Sequence, residues 1–376
     1  MQKLNVCIDG SLGKGNLGDN NLFHAFHCEH ESDFGKKFLM RAEETSDWVS
    51  NITKNWLPLP QLCGGWRSIK FRGSRRRVRD VWLQEAGANS VYLLLGGLLG
   101  HLAHVDIRAQ LLKMASSVDW KRCYYFGDIE SFCEKSRPLQ RVLDRLSGPD
   151  TWVSVRSEEA ANLLTDRGYR QQVHIGIDPV LYQRTKCSPA PFVRSEPSNG
   201  AVALIPSDSV FRSPIAFEWW VDVAKEVKAS GREILWCIFD SQHDVNAAKA
   251  IAIAAGFSED EFEVQLRFED QAIVCSERAF ACFTDRYHGA IFPMTRGVPT
   301  IARGWNDKIV RLFRLLGLED WCMSSEARTP IQASQIRNWL REASSDSWAP
   351  NHNRFIAESE RHTQSLLNFR SWVDAS

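Results

Sequence analysis

The chain has no net charge: its 376 residues carry 46 Lys and Arg against 46 Asp and Glu. No global positive field exists to hold nucleic acid by its phosphates, so nucleic acid is excluded as a partner. No apolar run is long enough for a membrane span. The most apolar stretch, residues 91–102, is broken by Gly96-Gly97 and falls short of the roughly 20 residues a spanning helix needs. The N-terminal MQKLNVCIDG lacks the long apolar region of a signal peptide. The 10 cysteines form no CxxC pair and keep no regular spacing, which argues for reduced, mostly buried thiols and against a disulfide framework. Together these absences predict a soluble, cytoplasmic protein.

Several motifs are also missing. There is no H-E-x-x-H and no G-x-x-x-x-G-K-[ST]. The glycine loop at residues 9–20, DGSLGKGNLGDN, follows an apolar strand at Leu4–Ile8 and precedes a helix. That is the setting of a phosphate cradle. Yet no acidic residue in a clear second strand follows Gly13-Lys14-Gly15-Asn16-Leu17-Gly18 at the distance a dinucleotide site requires. A tight turn with Asp19 as helix N-cap accounts for the loop as well as a ligand role does. His24, His27 and His30 lie three apart, but no second ligand motif accompanies them, so no metal site is assigned. Residues 67–79, RSIKFRGSRRRVR, hold seven Lys or Arg in thirteen positions. A solvated loop or helix face explains them. Their functional reading, from Arg67 to Arg79, is peripheral contact with an acidic membrane surface or a lipid-linked phosphate.

What is present is an alternation of strand and helix. Strands are predicted at Ser90–Leu95, Cys123–Phe126, Thr151–Val155 and Val173–Ile177, with polar residues gathering after them. Ser157-Glu158-Glu159 caps a helix that Gly168 closes. Residues 185–200, TKCSPAPFVRSEPSNG, read as linker. A second set follows: strand Ala201–Ile205, helix 215–229, strand Glu233–Phe239, helix 244–255, a short strand near Phe262–Val264, and helix 269–278. The pattern predicts an α/β protein of two doubly wound domains. Their spans are 1–185, a linker at 186–200, 201–345, and a helical tail at 346–376. No internal sequence repeat is visible.

The stretch at residues 281–318 concentrates the chemistry. Strand Ala281–Thr284 ends in Asp285, Arg286, Tyr287 and His288, and a small apolar helix begins at Gly289. Gly297-Val298-Pro299 turns the chain into strand Thr300–Ala302, and Asp307-Lys308 opens an amphipathic helix. Charged groups thus collect where a strand's carboxyl end meets a helix's amino end. Open α/β sheets bind ligands there, and helix amino ends favour anions. A purely structural alternative has Arg286 pairing Asp285, His288 capping its helix, and Asp307 capping the next.

Five segments in order resemble the polysaccharide pyruvyl transferase family. They are Gly15-Asn16-Leu17-Gly18-Asp19, the Leu-Leu-Gly-Gly-Leu-Leu run at 94–99, Ser154-Val155-Arg156, Asp178-Pro179, and Arg286-Tyr287-His288 through Gly297-Val298-Pro299 to Asp307-Lys308. This chain has Tyr287 where the family commonly has Leu and Asp285 where it usually has Ser. The resemblance implies two Rossmann-like domains facing across a cleft, as in GT-B glycosyltransferases. It implies phosphoenolpyruvate as donor, a sugar diol on a nucleotide or lipid carrier as acceptor, a pyruvate ketal as product, and no cofactor. Under it, Arg156, Arg286 and Lys308 bind the donor anion, and His288 shuttles the proton. Asp19 is a second catalytic candidate, to orient or deprotonate an acceptor hydroxyl. Asn16, Gly18, Gly97, His101 and Asp178 line the acceptor side. The competing activity is a GT-B glycosyltransferase with a nucleotide-sugar donor.

Overall fold

A computed structural model describes residues 3–9, 17–42, 66–71, 86–87, 89–96, 102–129, 137–187, 200–241, 243–324, 333–343 and 352–375. Contacts divide the chain into two units. One comprises Met1–Lys14, Asp19–Pro179 and Ala357–Ser376; the other comprises Gly15–Gly18 and Val180–Ile356. The fold is α/β in both.

In the first unit the strands are β1 (Asn5–Asp9), β2 (Lys37–Ala42), β3 (Trp66–Phe71), β4 (Ser90–Leu95), β5 (Lys121–Gly127), β6 (Thr151–Val155) and β7 (His174–Ile175). They pair in the order β3-β2-β1-β4-β5-β6-β7, and every ladder is parallel. β4 is buried at all six positions, as a strand covered on both faces by helices must be. The Ser157 side chain accepts from Ala160 N at 3.1 Å and starts the Glu158–Asp166 helix. Gly168 follows at φ +98°, a left-handed step that glycine takes without Cβ strain.

The second unit repeats the plan. Its strands are β8 (Val202–Ile205), β9 (Ile234–Ile238), β10 (Leu266–Phe268), β11 (Ala281–Thr284), β12 (Thr300–Gly304) and β13 (Cys322–Ser324). They order as β10-β9-β8-β11-β12-β13, all parallel. Trp219, Trp220, Trp236 and Phe283 lie in the buried cluster between sheet and helices. Strand order reverses at β1/β4 in one sheet and β8/β11 in the other. At such a point neighbouring connections leave toward opposite faces and open a crevice at the carboxyl edge.

Four expectations are corrected here. The strand expected near Phe262–Val264 is a helix, Glu259–Gln265, because Ser258 and Glu261 form a reciprocal capping box; the strand comes after it as β10. β2 went unread, and the first part of the basic run is β3, an edge strand rather than a loop or helix face; residues 72–79 lie outside the described residues. Asp19 falls inside the Leu17–His30 helix, so it is not the N-cap. The boundary between units falls at Pro179–Val180, and the long C-terminal helix, His352–Asp374, joins the first unit from Ala357 onward. Residues 188–199 of the expected linker lie outside the described residues.

An aromatic and polar seam docks that helix. Phe369 is buried, with its ring 5.0 Å from His30, 5.3 Å from Tyr125 and 5.7 Å from Trp152. His30 Nδ1 lies 2.6 Å from Asp33 Oδ2, and its Nε2 lies 2.8 Å from the Tyr125 hydroxyl, which donates to Glu29 at 2.9 Å. Arg370 donates to Asp33 at 3.0 Å. His30 is therefore committed to this seam, and His24 is exposed.

Phe369→Ala should cost about 3–5 kcal/mol, as deletion of a buried aromatic ring does. Hydrogen exchange should quicken in β5, β6 and the Leu17–His30 helix and stay unchanged in β8, β9 and β11. Uniform quickening in both sheets would contradict the assignment of the helix to the first unit.

Candidate functional site at the edge of the second sheet

Three adjacent strands, β8, β11 and β12, deliver polar residues to one edge. β8 ends in Ile205 and leads to Ser207, Asp208 and Ser209. β11 ends in Thr284 and leads to Asp285, Arg286, Tyr287 and His288. β12 carries Arg303 and leads to Trp305 and Asn306.

Asp285 is completely buried. Arg303 grips it with two parallel bonds, Nε to Oδ1 at 3.0 Å and Nη2 to Oδ2 at 2.7 Å. Trp220 Nε1 donates to Oδ2 at 2.8 Å and Ser209 Oγ at 3.2 Å. The Asp285 carbonyl accepts from Trp305 Nε1 at 2.7 Å, and its N–H donates to Ile205 O at 3.0 Å. Every polar atom of this residue is committed, which fixes the chain path into Arg286. Thr284 Oγ1 then accepts from Arg286 N at 2.9 Å.

Arg286 does not pair with Asp285. Its Nε donates to Asp244 Oδ2 at 2.9 Å, and its Nη2 donates to Asp244 Oδ1. Asp240 and Asp208 lie 3.8 and 4.0 Å from Nη2. Asp244 also accepts from Asp240 N at 3.0 Å and Asp208 N at 3.3 Å. Burial pushes its carboxyl up to about 6; Arg286 opposes the shift, while Asp240 and Asp208 add to it. Burial disfavours the charge of Arg286, but the three carboxylates outweigh it and raise its pKa.

The helix after Arg286 runs Tyr287–Met294, with Arg286 as N-cap, and the Arg286 side chain makes no cap hydrogen bond to it. His288 therefore does not cap it. His288 is half-buried in the first turn, its ring 5.1 Å from that of Tyr287. A Cβ on Gly289 would meet Thr284 Oγ1 at 2.7 Å and Ile205 Cγ2 at 3.0 Å, so only glycine lets the helix sit this close to β8 and β11. The next helix, Asp307–Leu315, is capped by Asn306, whose Oδ1 accepts from Ile309 N at 3.2 Å. Asp307 is thus not the cap; it lies 3.6 Å from Arg311. Lys308 is half-buried in the first turn.

In the first unit, Arg156 and Asp178 are partners. Arg156 Nη1 lies 2.7 Å from Asp178 Oδ2, and its Nε donates to Phe126 O at 2.9 Å. Phe126 has φ +39°, an unusual conformation for a bulky side chain that places its carbonyl under the guanidinium. Gly18 lies in the Leu17–His30 helix; Asn16, Gly97 and His101 fall outside the described residues. Among the described residues no group of three or more His, Cys, Asp or Glu side chains could hold a metal ion, and no helix is long and apolar enough to cross a membrane.

The sequence reading missed Asp208, Asp240, Asp244, Arg303 and Trp220. The polar residues directly after β8 and β9 were the available signal, by the rule applied to the first half of the chain. Partner choice was not legible, because β8, β9 and β11 are far apart in sequence.

A family model described as polysaccharide pyruvyl transferase matches residues 27–307. Among curated proteins no relative matches the chain. Solved structures are similar in fold throughout their length. Arabidopsis thaliana UGT89C1 complexed with UDP-L-rhamnose is 10% identical with a TM-score of 0.60, over 99% of this chain and 100% of that one. The UDP-GlcNAc 2-epimerase of Methanocaldococcus jannaschii is 10% identical with a TM-score of 0.59, over 98% and 100%. The UDP-GlcNAc 2-epimerase of Neisseria meningitidis, bound to UDP-GlcNAc, is 10% identical with a TM-score of 0.53, over 97% and 100%. At such identities the likeness is one of fold, that of GT-B glycosyltransferases and epimerases.

Two outcomes follow. Asp285→Asn leaves Arg303 buried without its counter-charge and should destabilise by about 3–5 kcal/mol. Adding Arg303→Met should recover part of that loss in denaturant melts; a purely additive pair would sink the coupling. Asp244 is buried with a raised pKa, so the folded state holds its proton more tightly than the unfolded state does. Its stabilising contribution is complete below the unfolded value and is lost as pH rises through about 6, by up to about 3 kcal/mol. Asp244→Asn should flatten that part of the stability–pH curve.

Proposed function

Because the chain belongs to the polysaccharide pyruvyl transferase family, we propose that it moves the pyruvyl group of phosphoenolpyruvate onto two hydroxyls of a sugar in a glycan precursor. The product is a pyruvate ketal and phosphate is released. The observation that carries this reading is the placement of Arg286 and His288. Both stand where β11 ends, at the strand-order reversal and at the amino end of the Tyr287–Met294 helix.

The chemistry asks for little more. A proton goes to the donor's methylene carbon, C2 becomes cationic, and one hydroxyl adds to it. The C2–O bond to phosphate then breaks, and the second hydroxyl closes the ring while both hydroxyl protons leave. His288 is the proton shuttle in this reading, since an imidazole can give a proton in one step and take one in another. Arg286 and Lys308 hold the donor's anionic groups. With Nε and Nη2 on Asp244, Nη1 is the corner of Arg286 assigned to the donor. Within the first unit, Arg156 is kept as a candidate for binding an anionic group, and Asp19 or Asp178 for the acceptor. Each step is acid–base chemistry, so the reading calls for no cofactor. The donor implies a cytoplasmic reaction, and the basic run at 67–79 suits a lipid-linked acceptor at a membrane face.

A nucleotide-sugar glycosyltransferase is the second reading, favoured by the solved structures of similar fold that carry UDP-sugars. The two differ in leaving group. Purified protein offered phosphoenolpyruvate with a panel of sugar carriers should release phosphate only when the right diol is present. Nucleotide diphosphate release from a nucleotide sugar, with no use of phosphoenolpyruvate, would replace the first reading by the second.

His288→Ala should lower turnover by about 10²–10⁴ while donor affinity holds. Lys308→Met should raise the donor KM more than it lowers kcat. Near-normal turnover in a folded His288→Ala protein would remove that residue from the mechanism.

A further inference from the structure

The Arg286 cluster holds one cation and three carboxylates. Asp208 is about half exposed and Asp240 nearly buried, while the Asp244 side chain is wholly buried. These groups come from the ends of three strands: Asp208 after β8, Asp240 and Asp244 after β9, and Arg286 after β11. With all of them ionised the cluster is negative, a poor reception for an anion. Water screens Asp208 and leaves Asp244 unscreened, so Asp244 feels an approaching anion most strongly.

We propose that Asp244 is a proton-linked latch on Arg286: an anion binding at Arg286 is accompanied by uptake of one proton by the Asp244 carboxyl. The inference rests on reading Arg286 as an anion contact. Asp244 occupies the Nε/Nη2 edge of the guanidinium and neutralises it. Anion charge arriving at the same guanidinium raises the free energy of ionised Asp244, which takes a proton from solvent. Asp208 N and Arg286 Nη2 fill the acceptor positions of Oδ1, and Asp240 N and Arg286 Nε fill those of Oδ2. The incoming proton therefore takes one position, and the neutral carboxyl keeps three of these N–H groups while one Arg286 N–H is released toward the ligand. The charge of Arg286 is then available to the ligand. Burial already pushes the Asp244 carboxyl up to about 6, so a modest push suffices. The charged groups facing it are Arg286, Asp240 and Asp208. Asp244 is a positioning residue here: it acts on the donor through Arg286.

Linkage makes the effect reciprocal, so anion affinity must fall as pH rises. The test is calorimetric titration of the full chain with sulfate, which has no titrating group between pH 6 and pH 8, and separately with phosphoenolpyruvate, in two buffers of different ionisation heat. Sulfate should bind the wild type with uptake approaching one proton, and about tenfold more weakly at pH 8 than at pH 6.5. Asp244→Asn should show no uptake, no pH dependence over that range, and tighter binding at pH 8. Asp240→Asn should keep the uptake. Binding without uptake in the wild type, equal uptake in Asp244→Asn, loss of uptake in Asp240→Asn, or no sulfate binding in the wild type would each overturn the latch. Should Asp244→Asn fail to fold, the infrared band of a protonated carboxyl must appear when sulfate binds the wild type, and its absence overturns the proposal. Sulfate-linked uptake with no binding of phosphoenolpyruvate would leave the latch standing and remove the pyruvyl transfer reading. Binding of phosphoenolpyruvate, with sulfate bound without uptake, would do the reverse.

Discussion

Asp285 and Arg303 hold each other at the ends of β11 and β12, out of water, with Trp220, Ser209 and Trp305 completing the hydrogen bonds. Burying this pair costs more than a surface pair returns, and removing one partner would leave a bare charge in the interior. Its consequence is positional. With the side chain and both backbone groups of Asp285 fixed, the chain can leave β11 in only one direction. Arg286 is thereby aimed at Asp244 and His288 is set in the first turn of the following helix. Gly289 then lets that helix lie against the sheet without displacing the junction.

Charge is arranged in the same way in both units. Arg156 ends β6 and meets Asp178; Arg286 follows β11 and meets Asp244. Neither arginine is a bare cation waiting for a ligand. Each is oriented by a buried carboxylate, which holds the guanidinium in place and weakens its pull on any incoming anion. Such an arrangement trades affinity for geometry, and transfer chemistry depends on geometry.

Much of this was legible from the chain. Continuous apolar runs such as Val202–Ile205 and Ala281–Thr284 mark buried parallel strands because no alternation is needed when both faces are covered. Ser157 and Gly168 mark the ends of a helix through capping and backbone freedom. The strand–helix junction at Arg286 was visible for the same reason. Three kinds of feature were not. The register between distant strands decides that Arg286 meets Asp244 rather than its neighbour Asp285, and no local pattern encodes it. Lys37–Ala42 and Trp66–Phe71 are strands with charged residues inside them, so their periodicity is weak. The C-terminal helix belongs to the first unit through Phe369 and Arg370, contacts made across more than 300 residues of sequence.

The central claim is that the carboxyl edge of the second sheet receives the donor. A crystal structure of the protein grown with phosphoenolpyruvate tests it most directly. The account predicts donor density against Arg286 and the first turn of the Tyr287–Met294 helix, with the methylene carbon within reach of His288. Donor density away from that edge, with the Arg286 cluster unchanged, would contradict it.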